Sequence, residues 1–144
     1  MSYQLGRRPS FDDILLAQAH QWSRRGTCQR LQVGAVLARD GRSVMSGYNG
    51  APADMPHCQH TLDELNDPFA HCTIAVHAEA NVIAYAAREG VPTYGTTLYA
   101  THAPCYTCAG ILIAAGIKRV MFIELYGTNL GLTKLQEAGV EIDY

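Results

Sequence analysis

The stretch VHAEANVIAYAAR, from Val76 to Arg88, combines an apolar helical pattern with two polar residues at its start. Small and apolar residues recur at helical spacing, which predicts a buried helix face formed by Ala80, Ile83, Ala84 and Ala87. His77 and Glu79 open the same segment, although burial of such groups costs free energy. Their position therefore indicates a function rather than a packing role.

Helices and strands alternate around this segment. Ser10 and Asp13 predict the start of a first helix over residues 10–25, with an apolar side formed by Phe11, Ile14, Leu15, Ala19 and Trp22. The other predicted elements are a hairpin of strands at 33–38 and 43–48 with an Asp40–Gly41 turn, helices at 78–88, 105–116 and about 130–138, and strands at 96–100, 119–125 and 141–144. This alternation predicts an α/β sheet covered on both faces.

Composition narrows the class of protein. The chain has 144 residues, 48% of them hydrophobic and 17% charged, which is typical of one globular domain over residues 1–144. The formal charge of -2 argues against a long nucleic acid as the main partner and favours a small molecule.

The sequence shows neither a membrane-spanning stretch nor a signal peptide, so we expect a cytoplasmic protein. Five cysteines in such a chain favour metal binding or catalysis over disulfides.

Metal-ligand residues occur at the starts of two predicted helices. His77 precedes one helix, and Cys105 and Cys108 begin the next within PCYTC. One imidazole and two thiolates predict a zinc site whose fourth position stays open to water, as in catalytic rather than structural zinc sites. Glu79 is then predicted as an unligated carboxylate that transfers protons.

Taken alone, each of these motifs has a commoner explanation than a catalytic zinc site. A single histidine at a helix start is more often structural, and a single C-x-x-C is more often a redox or structural zinc motif. The combination of H-x-E with P-C-x-x-C about 26 residues further on is the signature of zinc-dependent nucleobase deaminases.

The chain resembles the cytidine deaminase superfamily, and within it the deoxycytidylate deaminases of phages and bacteria. The resemblance rests on HAE and PCYTC and also on TCQRLQVGAVLARDG, SGYNGAP, HCTIAVHAEANVI and AAGIKRVMF, which occur in the family's order. It implies a three-layer α/β/α fold with a mixed sheet of about five strands. It also implies that His77, Cys105 and Cys108 hold the catalytic zinc, that Glu79 is the proton shuttle, and that Asn49 contacts the sugar, with Ala78 also at the substrate.

The implied reaction is the hydrolytic loss of ammonia from C4 of deoxycytidylate, which gives deoxyuridylate for thymidylate synthesis without an organic cofactor. A nucleotide substrate requires donors for its phosphate, and we expect Arg30 and Arg25 to supply them. Solvated arginines that flank the first strand are an equally good interpretation of these two residues.

Three cysteines remain outside the catalytic motifs. Cys28, Cys58 and Cys72, with a nearby histidine, predict a second, structural zinc that would stabilise the long loop from Ala51 to about Thr73. Among the candidates His57, His60 and His71, His71 is the favoured fourth ligand. The alternative is three free thiols.

The motif GYNG is linked in the resembled family to regulation. Gly47, Tyr48, Asn49 and Gly50 would then contribute to an allosteric nucleotide site that binds deoxycytidine triphosphate with Mg2+, or thymidine triphosphate, in a hexameric assembly. A tight turn at the end of a strand would require the same glycines.

Rival functions use the same residues differently. A polynucleotide deaminase should show a basic groove with stacking aromatics, which the balance of eleven basic and thirteen acidic residues does not suggest. A deaminase of nucleosides, or of other cytosine nucleotides including 5-modified ones, remains a close alternative. A zinc module without activity would not need Glu79.

Overall fold

The computed structural model describes residues 6–67 and 72–144 of the chain. Its elements are α1 (Phe11–Ser23), β1 (Gly34–Arg39), β2 (Arg42–Tyr48), α2 (Leu62–Asn66), α3 (Ala78–Glu89), β3 (Thr97–His102), α4 (Tyr106–Ala114), β4 (Arg119–Glu124), α5 (Leu130–Glu137) and β5 (Glu141–Asp143). All the predicted elements are confirmed. The five-residue helix α2 lies in the segment that was predicted to be a loop.

The five strands form one mixed sheet in the order β2-β1-β3-β4-β5. Strand β1 is antiparallel to both β2 and β3, whereas β3, β4 and β5 are parallel. The predicted hairpin turn is confirmed, because Asp40 and Gly41 have φ values of 51° and 76°, as a two-residue turn of this kind requires. The carboxyl ends of β3 and β4 therefore lie side by side at one edge of the molecule.

Helices cover both faces of this sheet. Val36, Ala38 and Tyr99 pack against α1 on one face. Alternate residues of the same strands, such as Leu37 and Leu98, face α3, α4 and α5 on the other. The three-layer architecture implied by the family resemblance is confirmed. None of the helices in the described ranges has the length and apolar character that a bilayer crossing requires.

Helix α1 begins as predicted but buries a narrower face. Ser10 Oγ accepts from the N–H of Asp13 at 3.0 Å, and the Asp13 carboxylate accepts from the N–H of Ser10 at 3.0 Å, which forms a capping box. Leu15 and Ala19 are buried, but the prediction was wrong for Phe11, Ile14 and Trp22, which are 60%, 45% and 40% exposed. The helix packs on the sheet along one stripe, so apolar residues at the edges of that stripe stay in contact with water.

The predicted buried face of α3 was wrong for Ala84 and Ala87, whereas Ile83 is partly buried and packs against the core as predicted. The buried residues of α3 are Ala78, Glu79, Val82 and Ala86, whereas Ala84 and Ala87 are exposed. Alanine offers little apolar area, so a run of alanines does not determine which side of a helix packs. The helix instead packs on the sheet with the side that carries Val82, and this orientation also buries Glu79.

Candidate active site

The starts of α3 and α4 bring three metal-ligand side chains together. Nδ1 of His77 lies 3.5 Å from Sγ of Cys105 and 3.4 Å from Sγ of Cys108. His77 is the residue before α3, and Cys105 is the N-cap of α4, where its sulfur accepts from the N–H of Cys108 at 3.4 Å. The prediction that these three residues converge is confirmed.

Backbone and amide contacts hold His77 in place. Gly50 and Val76 form an antiparallel bridge in which each N–H donates to the other's carbonyl oxygen, at 3.1 and 2.7 Å. Nδ2 of Asn81 donates to the carbonyl oxygen of Tyr48 at 2.9 Å. The end of β2 and the start of α3 are therefore fixed to each other on both sides of the histidine.

Glu79 is the buried acid of the site. Glu79 is only 4% exposed, and this burial raises its pKa to about 7. The charge of His77 acts in the opposite direction and lowers the pKa of Glu79. A carboxyl group with such a pKa can both accept and release a proton near neutral pH. Glu79 therefore has the location and the acidity expected of a proton-transfer residue.

The contact between the two thiols changes their acidities in opposite directions. Hydrogen bonds with Cys108 and His77 lower the pKa of Cys105 to about 3, while the same contact with Cys105, together with burial, raises the pKa of Cys108. The contact with Cys105 also raises the pKa of His77. A metal that replaced these protons would bind an imidazole and two thiolates.

These donors fit a zinc ion. At bond lengths of about 2.0–2.3 Å, the ligand atoms of a tetrahedral zinc stand roughly 3.5–3.8 Å apart. The three ligand atoms lie within 4.8 Å of one another, and the two distances from His77 are 3.4 and 3.5 Å. A protein that offers three ligands beside an unligated carboxylate has the donor set of a catalytic zinc site.

A cavity of about 520 Å³ opens over this cluster. Of the residues predicted to bind substrate, Asn49, Ala78 and Arg30 line it. Arg25 lies instead over the ring of Tyr48, 5.7 Å from its centroid, and is not among the described residues that line the cavity. Cys28 and Cys72 also reach the cavity wall.

Asn49 is largely engaged by the backbone that leads into β1. Its Oδ1 accepts from the N–H of Val33 at 2.8 Å, and its Nδ2 donates to the carbonyl oxygen of Leu31 at 2.6 Å. A primary amide has two donors and two lone pairs, so one donor and one acceptor position remain for a ligand.

The two glycines of GYNG lie against side chains. A Cβ on Gly47 would lie 2.9 Å from Cγ2 of Val82, and a Cβ on Gly50 would lie 2.6 Å from Oγ1 of Thr27. Neither glycine has a positive φ. Close packing is therefore a sufficient physical reason for both residues.

A second cluster contains the other three cysteines. The ligand atoms of Cys28, Cys58, Cys72 and His60 lie within 4.8 Å of one another. His71 falls outside the described residues, so the structure leaves its predicted place as fourth ligand untested, while His57 is exposed. The structure thus places His60 beside the cysteines.

The acidities in the second cluster differ from one group to the next. Burial raises the pKa of Cys58 to about 12. Burial also opposes ionisation of Cys72, but hydrogen bonds from the N–H groups of Ala75 and Ile74, together with contacts to Cys58 and Cys28, lower its pKa to about 7. Glu64 raises the pKa of His60 to about 9, so a metal that binds here must displace protons.

Sequence reasoning missed residues that the sheet brings to the cavity. His102 and Tyr126 line it, with His102 Nε2 3.3 Å from the Glu124 carboxylate and Nδ1 2.8 Å from Oγ1 of Thr101. His102 ends β3 and Glu124 ends β4. Ligands of α/β sheets bind beyond the carboxyl ends of parallel strands. That rule could have identified His102 and Tyr126 as cavity residues.

The mixed α/β/α fold and the His-Cys-Cys cluster beside a buried glutamate define the class of zinc-dependent deaminases. Residues 9–124 match the family described as the cytidine and deoxycytidylate deaminase zinc-binding region. The chain belongs to this family.

Similar proteins agree with this assignment. ComE operon protein 2 of Bacillus subtilis is 40% identical over 137 residues, which cover 94% of this chain and 71% of that protein. The deoxycytidylate deaminase of Mycobacterium phage D29 is 38% identical over 125 residues, covering 80% of this chain and 95% of that protein. The crystal structure of dCMP deaminase from cyanophage S-TIM5 in complex with dCMP and dUMP has a TM-score of 0.84 and 27% identity, covering 96% of this chain and 100% of that one.

Proposed function

We propose that this protein is a deoxycytidylate deaminase that hydrolyses dCMP to dUMP and ammonia. The observation that carries the proposal is the placement of buried Glu79 beside His77, Cys105 and Cys108 in one cavity. Two of the similar proteins are named as deaminases of this nucleotide, and one of them was crystallised with dCMP and dUMP.

His77, Cys105 and Cys108 would hold the zinc, which when bound supplies an activated water as nucleophile. Glu79 accepts a proton from this water, because its pKa of about 7 leaves a substantial fraction ionised at neutral pH. It delivers this proton to N3 of the cytosine, then takes the proton of the hydroxyl newly formed on C4 and passes it to the departing amine, so that C4 becomes a carbonyl and ammonia leaves. One carboxyl group serves both steps because a pKa of about 7 allows it to accept and to release a proton near neutral pH.

The cavity wall supports recognition of a nucleotide. Asn49 lines the cavity with one amide donor and one acceptor position left, which would contact the sugar, and the small residue Ala78 lines the same cavity. Arg30 also lines this cavity, and its guanidinium would bind the phosphate. Arg25 is the weaker phosphate candidate, because it packs on Tyr48 instead.

A second zinc is proposed at Cys28, Cys58, Cys72 and His60. Three sulfurs and one imidazole give the closed four-ligand set of structural zinc sites. The segment between β2 and α3 supplies three of these ligands, and its described residues form only the short helix α2, so a metal would give it stability that packing does not.

Regulation and assembly are further parts of the proposal. Deoxycytidine triphosphate with Mg2+, or thymidine triphosphate, would bind near Gly47–Gly50 in a homo-oligomer, expected to be a hexamer, of this single-domain chain. A groove lined by Ile83, Val91, Ile111 and other apolar residues between α3 and α4 offers one surface for subunit contact. The expected setting is the cytoplasm, where dUMP is consumed in thymidylate synthesis.

An ultraviolet assay of dCMP turnover tests the main proposal. We expect the purified zinc-loaded protein to convert dCMP and to lose this activity as Glu79→Gln with its zinc retained. Turnover of deoxycytidine but not dCMP would show a nucleoside deaminase instead. Absence of turnover with every cytosine monomer, in protein that holds its zinc, would contradict the proposal.

A further inference from the structure

Helix α2 is held in place by polar contacts. None of its residues, Leu62–Asn66, is buried. Its start is capped by Thr61, whose Oγ1 accepts from the N–H of Glu64 at 3.2 Å. Since a five-residue helix is unstable by itself, its position depends on the side chains that join it to the rest of the protein.

Glu64 joins α2 to the second cluster. Its Oε2 lies 3.0 Å from Nδ1 of His60, while Nε2 of the same ring lies 3.5 Å from Sγ of Cys28. The His60 side chain is only 7% exposed. A carboxylate on one ring nitrogen orients the other nitrogen toward a metal and increases its basicity.

Helix α2 also holds Arg30, the arginine that lines the cavity. Nη1 of Arg30 donates to the carbonyl oxygen of Glu64 at 2.5 Å, and both Nη atoms reach the carbonyl oxygen of Asp67, at 3.4 and 3.3 Å. Gln29, directly before Arg30, accepts from the N–H of His60 at 3.0 Å through its side-chain oxygen. Cys28, Gln29 and Arg30 are thus tied in succession to the segment that contains His60 and Glu64.

We propose that Glu64 is a positioning residue that couples the second metal site to phosphate binding by Arg30. Its carboxylate orients His60 for the metal, and its backbone carbonyl holds the Arg30 guanidinium at the cavity. An occupied metal site fixes α2, and α2 in turn fixes Arg30. This inference rests on the proposed second zinc and on the proposed deaminase activity.

The test compares Glu64→Ala with Asp63→Asn, a control that changes a carboxylate on the same helix. We expect Glu64→Ala to bind the second zinc about 10–100-fold more weakly, measured by chelator competition and zinc per chain. We expect its KM for dCMP to rise about tenfold, with kcat within twofold of the parent. The KM for deoxycytidine, which has no phosphate, should stay unchanged, and Glu64→Gln should restore part of the zinc affinity.

Two results would contradict the proposed coupling between the second metal site and phosphate binding by Arg30. In the first, the second zinc is weakened but the KM for dCMP stays at the parent value, which would show that the metal does not position Arg30. In the second, KM and kcat change alike for dCMP and deoxycytidine, which would show general damage to the fold. Failure of the parent protein to convert dCMP would instead refute the proposed function, so the two failures are distinguishable.

Discussion

Nδ2 of Asn81 lies 2.9 Å from the carbonyl oxygen of Tyr48, and this contact joins α3 to the end of β2 beside the metal cluster. The same nitrogen lies 3.5 Å from the carbonyl oxygen of Val76, the residue before His77. One amide therefore fixes the backbone of two segments, one with the ligand His77 and the other with the cavity residue Asn49.

We expect Asn81→Ala to lower the free energy of unfolding by about 1–2 kcal/mol, because it leaves a partly buried carbonyl without its donor. Its kcat/KM should also fall, since His77 and Asn49 lose their common support. Denaturant unfolding and steady-state kinetics measure the two effects. Ala84→Ser, at an exposed position of the same helix, serves as the control and should change neither quantity.

Removal of the buried acid tests proton transfer without changing the ligands. Glu79→Gln should reduce kcat about 10²–10⁴-fold, because the amide cannot accept the proton from water. Zinc per chain and the thermal midpoint should remain close to the parent values. If the variant kept full activity, proton transfer by Glu79 would be excluded.

Substitution of one thiol should remove only the catalytic metal. Cys105→Ser retains an oxygen that can cap α4, since serine is a favourable N-cap residue, so the helix should still form. We expect zinc to fall from two ions per chain to one and activity to disappear. Cys58→Ser should remove the other ion, and zinc quantification on both variants separates the two sites. Loss of both ions from either variant would show that they form one linked cluster.

Asp12 predicts a stability difference that depends on pH. Arg119 donates two hydrogen bonds to its carboxylate, at 2.9 and 3.0 Å, and this contact together with the Tyr99 hydroxyl lowers the pKa of Asp12 below its usual range. A carboxylate with a lowered pKa in the folded state stabilises the protein above its unfolded pKa, and this contribution is lost as pH falls through the folded pKa.

Asp12→Asn should therefore destabilise the protein by about 1–2 kcal/mol at pH 7 and by less at pH 3. Denaturant unfolding of the parent and the variant at both pH values measures this difference. Glu89→Gln, which breaks only an exposed pair with Arg88, should show no comparable effect. A difference that did not change with pH would contradict the assignment to Asp12 ionisation.

Gly47 tests whether the GYNG motif is needed for packing. Gly47→Ala should cost about 1–3 kcal/mol of stability, because the new Cβ would lie 2.9 Å from Cγ2 of Val82. In the double variant with Val82→Ala, the cost of the Gly47 change should largely disappear. A double-mutant cycle by denaturant unfolding measures this coupling, and additive effects would argue against the contact.

The sequence by itself identified the residues of the candidate active site. His77 and Glu79 belong to one short motif, and Cys105 and Cys108 to another, and both motifs can be recognised from residue type and spacing alone. Their meeting depends on how α3 and α4 pack. The strands and the Asp40–Gly41 turn could also be predicted from the sequence. Both the alternation of apolar and polar residues in a strand and the residue preferences of a turn depend only on neighbouring residues.

Only the tertiary structure decided which residues meet across the chain. Val82 rather than Ala84 faces the core, because the sheet surface selects the buried side of α3. His60 joins Cys28 and Cys58 because the segment between β2 and α3 packs against residues 28–30, where the N–H of His60 donates to Oε1 of Gln29. His102 and Tyr126 reach the cavity because β3 and β4 end at the same edge. Such proximities arise from packing between residues distant in sequence, which no local pattern encodes.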